Sequence, residues 1–435
     1  MNTYAAEEQY TKLRAFRQAC YEELGTARDA LFELGDAVFL SPAVSCFAEF
    51  SLSPVFRRGW PSVYAALEDG RPDRHGLLGV YMQKLPSEGR ILLAGDHTAW
   101  PRPSAYTLRD RTVEHHFTKV PGNRPITVGQ GYSTIVWIPE ERGSWALPLL
   151  HERITSDQTP LHKAACQLRL VCQKLPTRPI SLWDSEYGCA SFVLQTADIP
   201  SDKILRLRPN RCVWGAPPPY SGKGRPRVHG DKFKLSDPST WPTPEDTLET
   251  VHPKLGRVRI CQWNDLHFRK SPDHWMIVLR VQRLDARGTR RDPKQLWLAW
   301  VGEDAPPLEE GWPLYLRRFT EEHWYRFAKQ RLHWTLPKVK TPEQGERWSD
   351  LMPMLTWQLW LARDIVADCP LPWQKPQKHP TPGRVCQGMG GLLTQIGTPA
   401  ARPKPRGKSP GWPKGRQRTR SPRYPVVKKS KNKRA

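Results

Sequence analysis

The sequence predicts a mixed α/β fold, and three observations carry that prediction. Up to residue 88, apolar residues recur at the mixed three- and four-residue spacing typical of helices. From residue 89, short apolar runs predict strands, with one helical segment between the third and the fourth. Beyond about residue 216, more strand-like runs predict a β-rich segment that interrupts this core.

The N-terminal part is expected to be helical. The segment TYAAEEQYTKLRAFRQACYEELGTARDALFELGDAVF predicts two helices with a break near Gly25. Shorter helices are predicted in SPAVSCFAEFSLSP and WPSVYAALEDG, which Pro and Gly bound.

The central part predicts a sheet with one crossing helix. GRILLAGDHTAW indicates a short buried strand at 91–94, and RPITVGQGYSTIVWIPE and GSWALPLLHERI indicate two more. The helix LHKAACQLRLVCQKL and the strand in RPISLWDSEYGC follow, and a fifth strand is expected at about 203–214. Strand, strand, strand, helix, strand is the order of a ribonuclease H-like core.

Two aspartates directly follow predicted strands. Asp96 comes after the first strand, which we expect to end at Gly95, and Asp184 comes after the fourth. Ligand sites of such sheets collect at the carboxyl ends of strands. A turn or helix-cap role is the alternative for each aspartate alone. Glu186 and Asp198 are further acids nearby, and Glu186 is expected at the start of the next helix.

The segment YLRRFTEEHWYRFAK carries a third candidate acid. Wound as one helix, it places Tyr315, Arg318, Glu322 and Lys329 within about 60° of one another. A carboxylate can hold a divalent metal while neighbouring cations bind phosphate, as cutting a phosphodiester requires. The alternative is a solvated helix with an Arg318–Glu322 pair. Glu321 is the rival third acid.

The spacing Tyr315-x2-Arg318-x3-Glu322-x6-Lys329 resembles the Y-R-E-K signature of DDE transposases from a large group of bacterial insertion sequences. In that family, the glutamate is the third metal-binding carboxylate. The resemblance implies that Tyr315, Arg318 and Lys329 contact the transposon end.

The same resemblance implies that Asp96, Asp184 and Glu322 are catalytic and together bind two Mg²⁺ ions, which Mn²⁺ can replace. Thr98 matches a small hydroxyl residue of the first aspartate box. His97 departs from it, since smaller residues are usual there.

Between Asp184 and Glu322 the sequence predicts an insertion. It begins with a basic loop that contains Arg225 and Arg227. The Gly-Arg-Pro sequence around them resembles the short motifs that bind in the minor groove of DNA. The alternative is a loop that contacts only DNA phosphates. Three strands are predicted in GRVRICQWNDLHFR, HWMIVLRVQRL and KQLWLAWVGE. Related transposases carry a β-rich domain here. Its tryptophans can stack on unpaired bases, although most are expected in the core.

These interpretations combine into one predicted architecture. We expect an α/β fold with a ribonuclease H-like (retroviral-integrase-like) core, a β-rich insertion and an N-terminal helical domain. The predicted units are an N-terminal helical, DNA-end-binding domain at 1–88, for which a structural cap is the alternative; the first part of the core at 89–215; the insertion at 216–305; the second part of the core with the glutamate helix at 306–370; and a basic, Pro-rich disordered tail at 371–435.

Charge indicates a polyanionic partner. The chain has a formal net charge of +24 and a pI near 9.8. Its last 37 residues contain fourteen Lys or Arg and no acid. DNA, RNA and anionic membranes all fit. No apolar run is long enough to span a bilayer and the start is no signal peptide, so we expect a soluble, cytoplasmic protein.

Among these partners, the resemblance implies double-stranded DNA, namely the terminal inverted repeats of the transposon and the target DNA. It also implies that a homodimer binds this DNA, and no contact with a membrane is expected. The nine cysteines include no C-x2-C pair, which argues against structural zinc.

Two other functions stay open. One is a catalytically inactive or repurposed transposase-derived DNA-binding protein. The other is an RNA-binding protein or ribonuclease, although no aromatic RNP-type strand is present.

Overall fold

Helices and strands alternate along most of the chain in this computed structural model. The structure describes residues 3–120, 124–288, 295–377, 379–405, 411, 413–417 and 419–429. The helices are α1 (Thr3–Glu22), α2 (Arg28–Leu40), α3 (Pro61–Asp69), α4 (Arg74–Met82), α5 (Pro160–Cys172), α6 (Ala190–Gln195), α7 (Leu308–Leu316), α8 (Phe319–Gln330), α9 (Pro342–Ala362) and α10 (Pro382–Ile396). Short 3-10 helices lie at Phe47–Leu52 and Pro238–Thr240.

Twelve strands of the described residues form one mostly antiparallel sheet. They are β1 (Leu92–Pro101), β2 (Thr112–Val120), β3 (Arg124–Trp137), β4 (Leu147–Ile154), β5 (Ile180–Trp183), β6 (Asp202–Leu207), β7 (Cys212–Trp214), β8 (Lys232–Lys234), β9 (Asp246–His252), β10 (Gly256–Phe268), β11 (Ser271–Arg283) and β12 (Gln295–Val301). The order is β2-β3-β1-β5-β6-β12-β11-β10-β7-β8, with β4 on β3 and β9 on β10. Only the pairs β1–β5 and β5–β6 of this order are parallel.

The predicted N-terminal helices are present, and their break is confirmed. Gly25 has a φ of 61°, which closes the turn between α1 and α2. The sequence did not predict α4, which begins where the Asp73 side chain accepts hydrogen bonds from two backbone amides. These helices pack on α9 and share its hydrophobic core: Trp357 of α9 stacks on Tyr81 and on Trp137 of β3.

The first strand is longer than predicted. We expected it to end at Gly95, but β1 continues to Pro101 because β3 pairs with it from Leu93 to Pro101. Asp96 and Thr98 therefore lie inside the strand. A strand that the sequence did not predict, β2, forms the edge beside β3.

Two other predictions need correction. The predicted fifth strand is divided into β6 and β7 by a turn in which the Arg211 amide donates to the Arg208 carbonyl. The tail predicted as disordered contains α10, because Val385, Met389 and Leu392 recur at helical spacing and are buried. Residues beyond α10 also contact the sheet, since the Val427 amide donates to the Arg111 carbonyl at 2.7 Å.

The three strands predicted in the insertion are present as β10, β11 and β12. They continue the core sheet, since β12 pairs antiparallel with β6 from Trp297 to Val301. Within the described residues, no helix is long and apolar enough to cross a membrane.

Candidate active site

Asp96 and Asp184 lie side by side on neighbouring parallel strands. The register of β1 and β5 ends at the pair Gly95 and Trp183. Asp96 follows Gly95 within β1, and Asp184 follows Trp183 directly after the end of β5. Adjacent strands are about 4.8 Å apart, and in-register neighbours point to the same face. The strand register therefore brings together two acids that are far apart in sequence.

A buried tryptophan explains the glycine before Asp96. A Cβ on Gly95 would overlap the Trp183 ring. The Trp183 Nε1 donates to Ser181 Oγ at 2.9 Å, and its ring lies 5.0 Å from that of Tyr187. Glycine thus leaves room for the indole just below the level of the acids.

Arg206 lies at the same level on the next strand. β5 and β6 are in register at Trp183 and Leu205, so Arg206 follows next to Asp184. The Arg206 Nη1 lies 3.6 Å from Asp184 Oδ1, and this oxygen is buried without a hydrogen bond. Sequence reasoning missed Arg206. Aligning the ends of the parallel strands would have found it.

The segment that we read as one helix is formed by two. α7 ends at Leu316 and α8 begins at Phe319, with a turn at Arg317 and Arg318. The prediction of one continuous helix is therefore wrong, and the alternative of a solvated helix does not fit Arg318, which is 2 % exposed. The turn lets the two arginines point in different directions: Arg317 donates to the Glu140 carbonyl at 2.8 Å, whereas Arg318 is buried.

The Arg318 guanidinium links two of the candidate acids. Its Nη1 lies 3.2 Å from Asp96 Oδ2, and its Nη2 lies 2.6 Å from Glu322 Oε1. Burial by itself would lower the pKa of Arg318. The neighbouring groups outweigh this effect and raise the pKa: Tyr315, Asp96, Asp184 and Glu322. One cation therefore interacts with all three acids predicted to be catalytic.

Asp96 is the most constrained of these acids. Burial raises its pKa, Arg318 and His97 act against this, and Asp184 raises it further. Its Oδ1 accepts from the His97 amide at 2.8 Å. The imidazole of His97 lies 3.1 Å from the Tyr187 hydroxyl, so the residue that departs from the family pattern packs beside the site.

The two adjacent glutamates of α8 differ in environment. The Glu322 side chain is 45 % exposed, whereas Glu321 is completely buried. Neither Glu321 oxygen accepts a hydrogen bond of ordinary geometry. Burial first, and then Asp96, raises the pKa of Glu321 well above its usual value. Both glutamates are therefore coupled to Asp96. Glu322 is linked to it through Arg318, and the buried Glu321 carboxyl is close enough for Asp96 to raise its pKa.

Lys329 and Tyr315 complete the predicted signature. The Lys329 Nζ donates to Thr98 Oγ1 at 2.6 Å, and burial lowers its pKa to about 8 despite the opposing effect of Asp96. Tyr315 is 1 % exposed, and its hydroxyl is without a hydrogen bond. Burial, opposed by Arg318, raises the pKa of Tyr315 to about 12.

Tyr325 supports the backbone at Asp96. Its hydroxyl lies 3.0 Å from the Asp96 carbonyl and 2.8 Å from Thr134 Oγ1, which contacts His151 Nδ1 at 2.8 Å. Sequence reasoning missed this network. The four-residue spacing of Glu321, Tyr325 and Lys329, which puts them on one helix face, was the available signal.

Arg225 and Arg227 lie elsewhere, in an exposed loop between β7 and β8. Gly224 there has a φ of 74°, and its carbonyl accepts from the Tyr220 hydroxyl at 2.9 Å. The loop is therefore shaped by its own turn.

The family model described as DDE superfamily endonuclease matches residues 21–269, more than half of the chain. The chain belongs to this family. The match includes Asp96 and Asp184 and ends before Glu322. DDE endonucleases act on DNA and generally use divalent metals. A search of the curated proteins finds no match.

The donor atoms of this DDE endonuclease fit a hard divalent cation. Mg²⁺ and Mn²⁺ prefer carboxylate oxygens, and Asp184 Oδ1 is buried without a hydrogen-bond partner. No three His, Cys, Asp or Glu side chains of the described residues are yet arranged as a ligand set. The Arg318 guanidinium lies between Asp96 and Glu322.

Proposed function

We propose that this DDE endonuclease is a transposase, which cuts DNA at the ends of an insertion sequence and joins the cut strands to target DNA. The observation that carries the proposal is the contact of one guanidinium, Arg318, with Asp96 and Glu322 while Asp184 adjoins Asp96. Three acids that are distant in sequence thereby surround a single position.

A ribonuclease H-like core is part of the proposal. It is supported by the strand order β4-β3-β1-β5-β6, in which the first three strands are antiparallel and the last three parallel. We assign this core to residues 89–215 and 306–370, with an inserted β-rich domain at 216–305 and an end-binding helical domain at 1–88.

Asp96, Asp184 and Glu322 would hold two Mg²⁺ or Mn²⁺ ions. Such ions activate water or a 3′-hydroxyl as the nucleophile and stabilise charge on the leaving oxygen. The protein contributes the rigid positions of the acids. β1 and β5 hold the two aspartates, and α8 brings the glutamate to them.

Arg318 has two roles in this proposal. It neutralises Asp96 and Glu322, which limits their mutual repulsion. Its planar guanidinium would also bind a phosphate of the DNA backbone through two donors.

Further DNA contacts come from a basic residue at the site and from two in the exposed loop between β7 and β8. Lys329 lies beside Thr98, two residues beyond Asp96, and Arg225 and Arg227 are exposed. The DNA contact of Tyr315 stays a prediction, since its hydroxyl is buried. Two DNA ends must be joined in transposition, so we propose a homodimer on DNA.

The alternative is a transposase-derived DNA-binding protein without cutting activity. The ion pairs of Arg318 with Asp96 and Glu322 favour it, because they already satisfy both acids. Such a protein would bind DNA without cutting it in Mg²⁺.

One experiment separates these functions. DNA that carries the gene's flanking sequences is incubated with the protein in Mg²⁺ or EDTA, and nicking is measured on a gel. We expect wild-type protein to nick only in Mg²⁺. Glu322→Gln should lower the rate by about a thousandfold or more, because it removes a ligand charge.

Two controls make the result specific. Asp198→Asn removes an exposed acid that pairs with Arg169 at 2.8 Å on another surface, and it should nick at the wild-type rate. Glu321→Gln tests the rival acid. Loss of nicking in Glu321→Gln with full activity in Glu322→Gln would move the third ligand to Glu321, and wild-type protein that binds but never nicks would support the alternative.

A further inference from the structure

A concave cleft lies between α3 and the segment that follows α8. Its volume is about 460 Å³, within the range of small-ligand sites. Phe47, Trp60 and Tyr64 form its aromatic lining, and Glu68, Lys338 and Lys340 are its charged residues. None of these six residues belongs to the site proposed for catalysis.

The aromatic rings of the cleft are open to a ligand. Trp60 is 61 % exposed and Tyr64 is 41 % exposed, although most large aromatic side chains of this chain are buried. The two rings are nearly perpendicular, at 83° and 6.5 Å between centroids. A flat ligand stacked on one ring would therefore meet the other with its edge.

The charges of the cleft are also available. Lys338 and Lys340 are exposed, and neither forms an ion pair with a described residue. Glu68 is exposed on the cleft as well, and its carboxylate has no ion-pair partner among the residues that the structure describes. The cleft thus combines aromatic faces, two cations and one carboxylate acceptor.

β1 connects this cleft with the proposed catalytic site. Past Asp96 and Thr98, the strand follows the segment after α8: Trp100 Nε1 donates to the Thr335 carbonyl, and Arg102 donates to the carbonyls of Pro337 and Val339. Asp96 to Arg102 spans about 20 Å of strand, which matches about six nucleotides of one DNA strand.

We propose that the cleft binds an unstacked nucleotide of the DNA that the protein cuts. The base stacks on Trp60, the more exposed of the two rings, and meets Tyr64 with its edge. Lys338 and Lys340 contact the flanking phosphates, and Glu68 accepts a hydrogen bond from an exocyclic amino group. Cytosine, adenine and guanine carry such a group and thymine does not, so the cleft binds thymine more weakly than the other three bases. This inference rests on the proposed function only in taking DNA as the ligand.

The test is a binding experiment in EDTA, so it is independent of cutting. Labelled single-stranded oligodeoxycytidine is titrated with full-length protein, and fluorescence anisotropy gives the Kd. Trp60→Ala should raise the Kd about tenfold, the loss of one base stack. Trp373→Ala is the matched control, because Trp373 is also exposed, at 78 %, and lies outside the cleft. Circular dichroism verifies that both variants are folded.

Two further variants assign the charges. Lys338→Ala/Lys340→Ala should raise the Kd and weaken its dependence on salt, whereas Lys84→Ala/Lys174→Ala, which removes two exposed lysines outside the cleft, should do so less. Glu68→Ala should abolish the preference for oligodeoxycytidine over oligodeoxythymidine. Equal Kd values for Trp60→Ala and Trp373→Ala overturn the proposal, and so does a wild-type protein with no base preference. Either result leaves the nicking experiment unaffected.

Discussion

Aromatic rings pack in both halves of the sheet, but the two halves differ in the charges that lie beside those rings. In the site half, formed by β1 and β3–β6, charged side chains meet at one level: Arg318 contacts Asp96, and Arg206 adjoins Asp184. In the insertion half, formed by β7–β12, aromatic rings pack together: Trp297 lies 5.2 Å from Trp241. One half therefore has charges that a metal or phosphate can engage, and the other provides a rigid extension.

This difference limits which tryptophans of the insertion can bind bases. Trp263 and Trp297 are buried in the aromatic cluster. Trp241 is covered by the Arg280 guanidinium at 4.7 Å. Trp275 is 44 % exposed and lies against His267. Of these four, Trp275 is the one whose ring is open to a partner.

The largest effect is expected from breaking the aromatic cluster. Trp297→Ala should lower the free energy of unfolding by about 3–5 kcal/mol, since it removes a buried ring and leaves a cavity. Trp275→Ala should lower it by less than about 1 kcal/mol, because nearly half of that ring is already in water. Urea unfolding measures both. Equal losses would mean that the insertion half does not depend on its buried rings.

A smaller effect tests the site half. Tyr325→Phe removes the hydroxyl that contacts the Asp96 carbonyl and Thr134, and it should cost about 1–2 kcal/mol of unfolding free energy. Tyr220→Phe is the control in the insertion half, where the hydroxyl is exposed and donates to Gly224. It should cost less than about 0.5 kcal/mol. A Tyr325→Phe protein as stable as Tyr220→Phe would show that this network does not hold β1.

A third test, again of the site half, concerns pH. The pKa of Lys329 is lowered to about 8 in the folded protein from an ordinary 10.5. The unfolded chain then binds the proton more tightly, so the stability contribution of Lys329 rises with pH between these values. Lys329→Met should lack this rise. Thermal unfolding of both proteins across this window measures the difference, and parallel curves would contradict the assignment.

Much of the fold follows from local sequence pattern. The crossing helix α5 is bounded by prolines, and β5 is an apolar run followed directly by Asp184. The pairing of Arg318 with Glu322 follows from their four-residue spacing, even though Arg318 lies at the very start of the helix. These features depend on a few adjacent residues, so the sequence is sufficient.

Other features depend on which segments become neighbours. β1 extends past Asp96 because β3 pairs along its full length, and α10 forms where the overall composition predicted a disordered tail. The helical periodicity of residues 315–329 did not predict that two helices, α7 and α8, meet there at a turn formed by Arg317 and Arg318. That turn follows from contacts with Glu140 and Asp96, which lie far away in the chain.

The sequence by itself determined the kinds of element, because apolar periodicity is a local property, and its resemblance to DDE transposases selected the three acids to consider. Only the tertiary structure decided that Glu321 is buried while Glu322 is exposed, and that Trp60 and Lys338 line one cleft. Burial and proximity depend on the packing of distant segments. No local pattern contains that information.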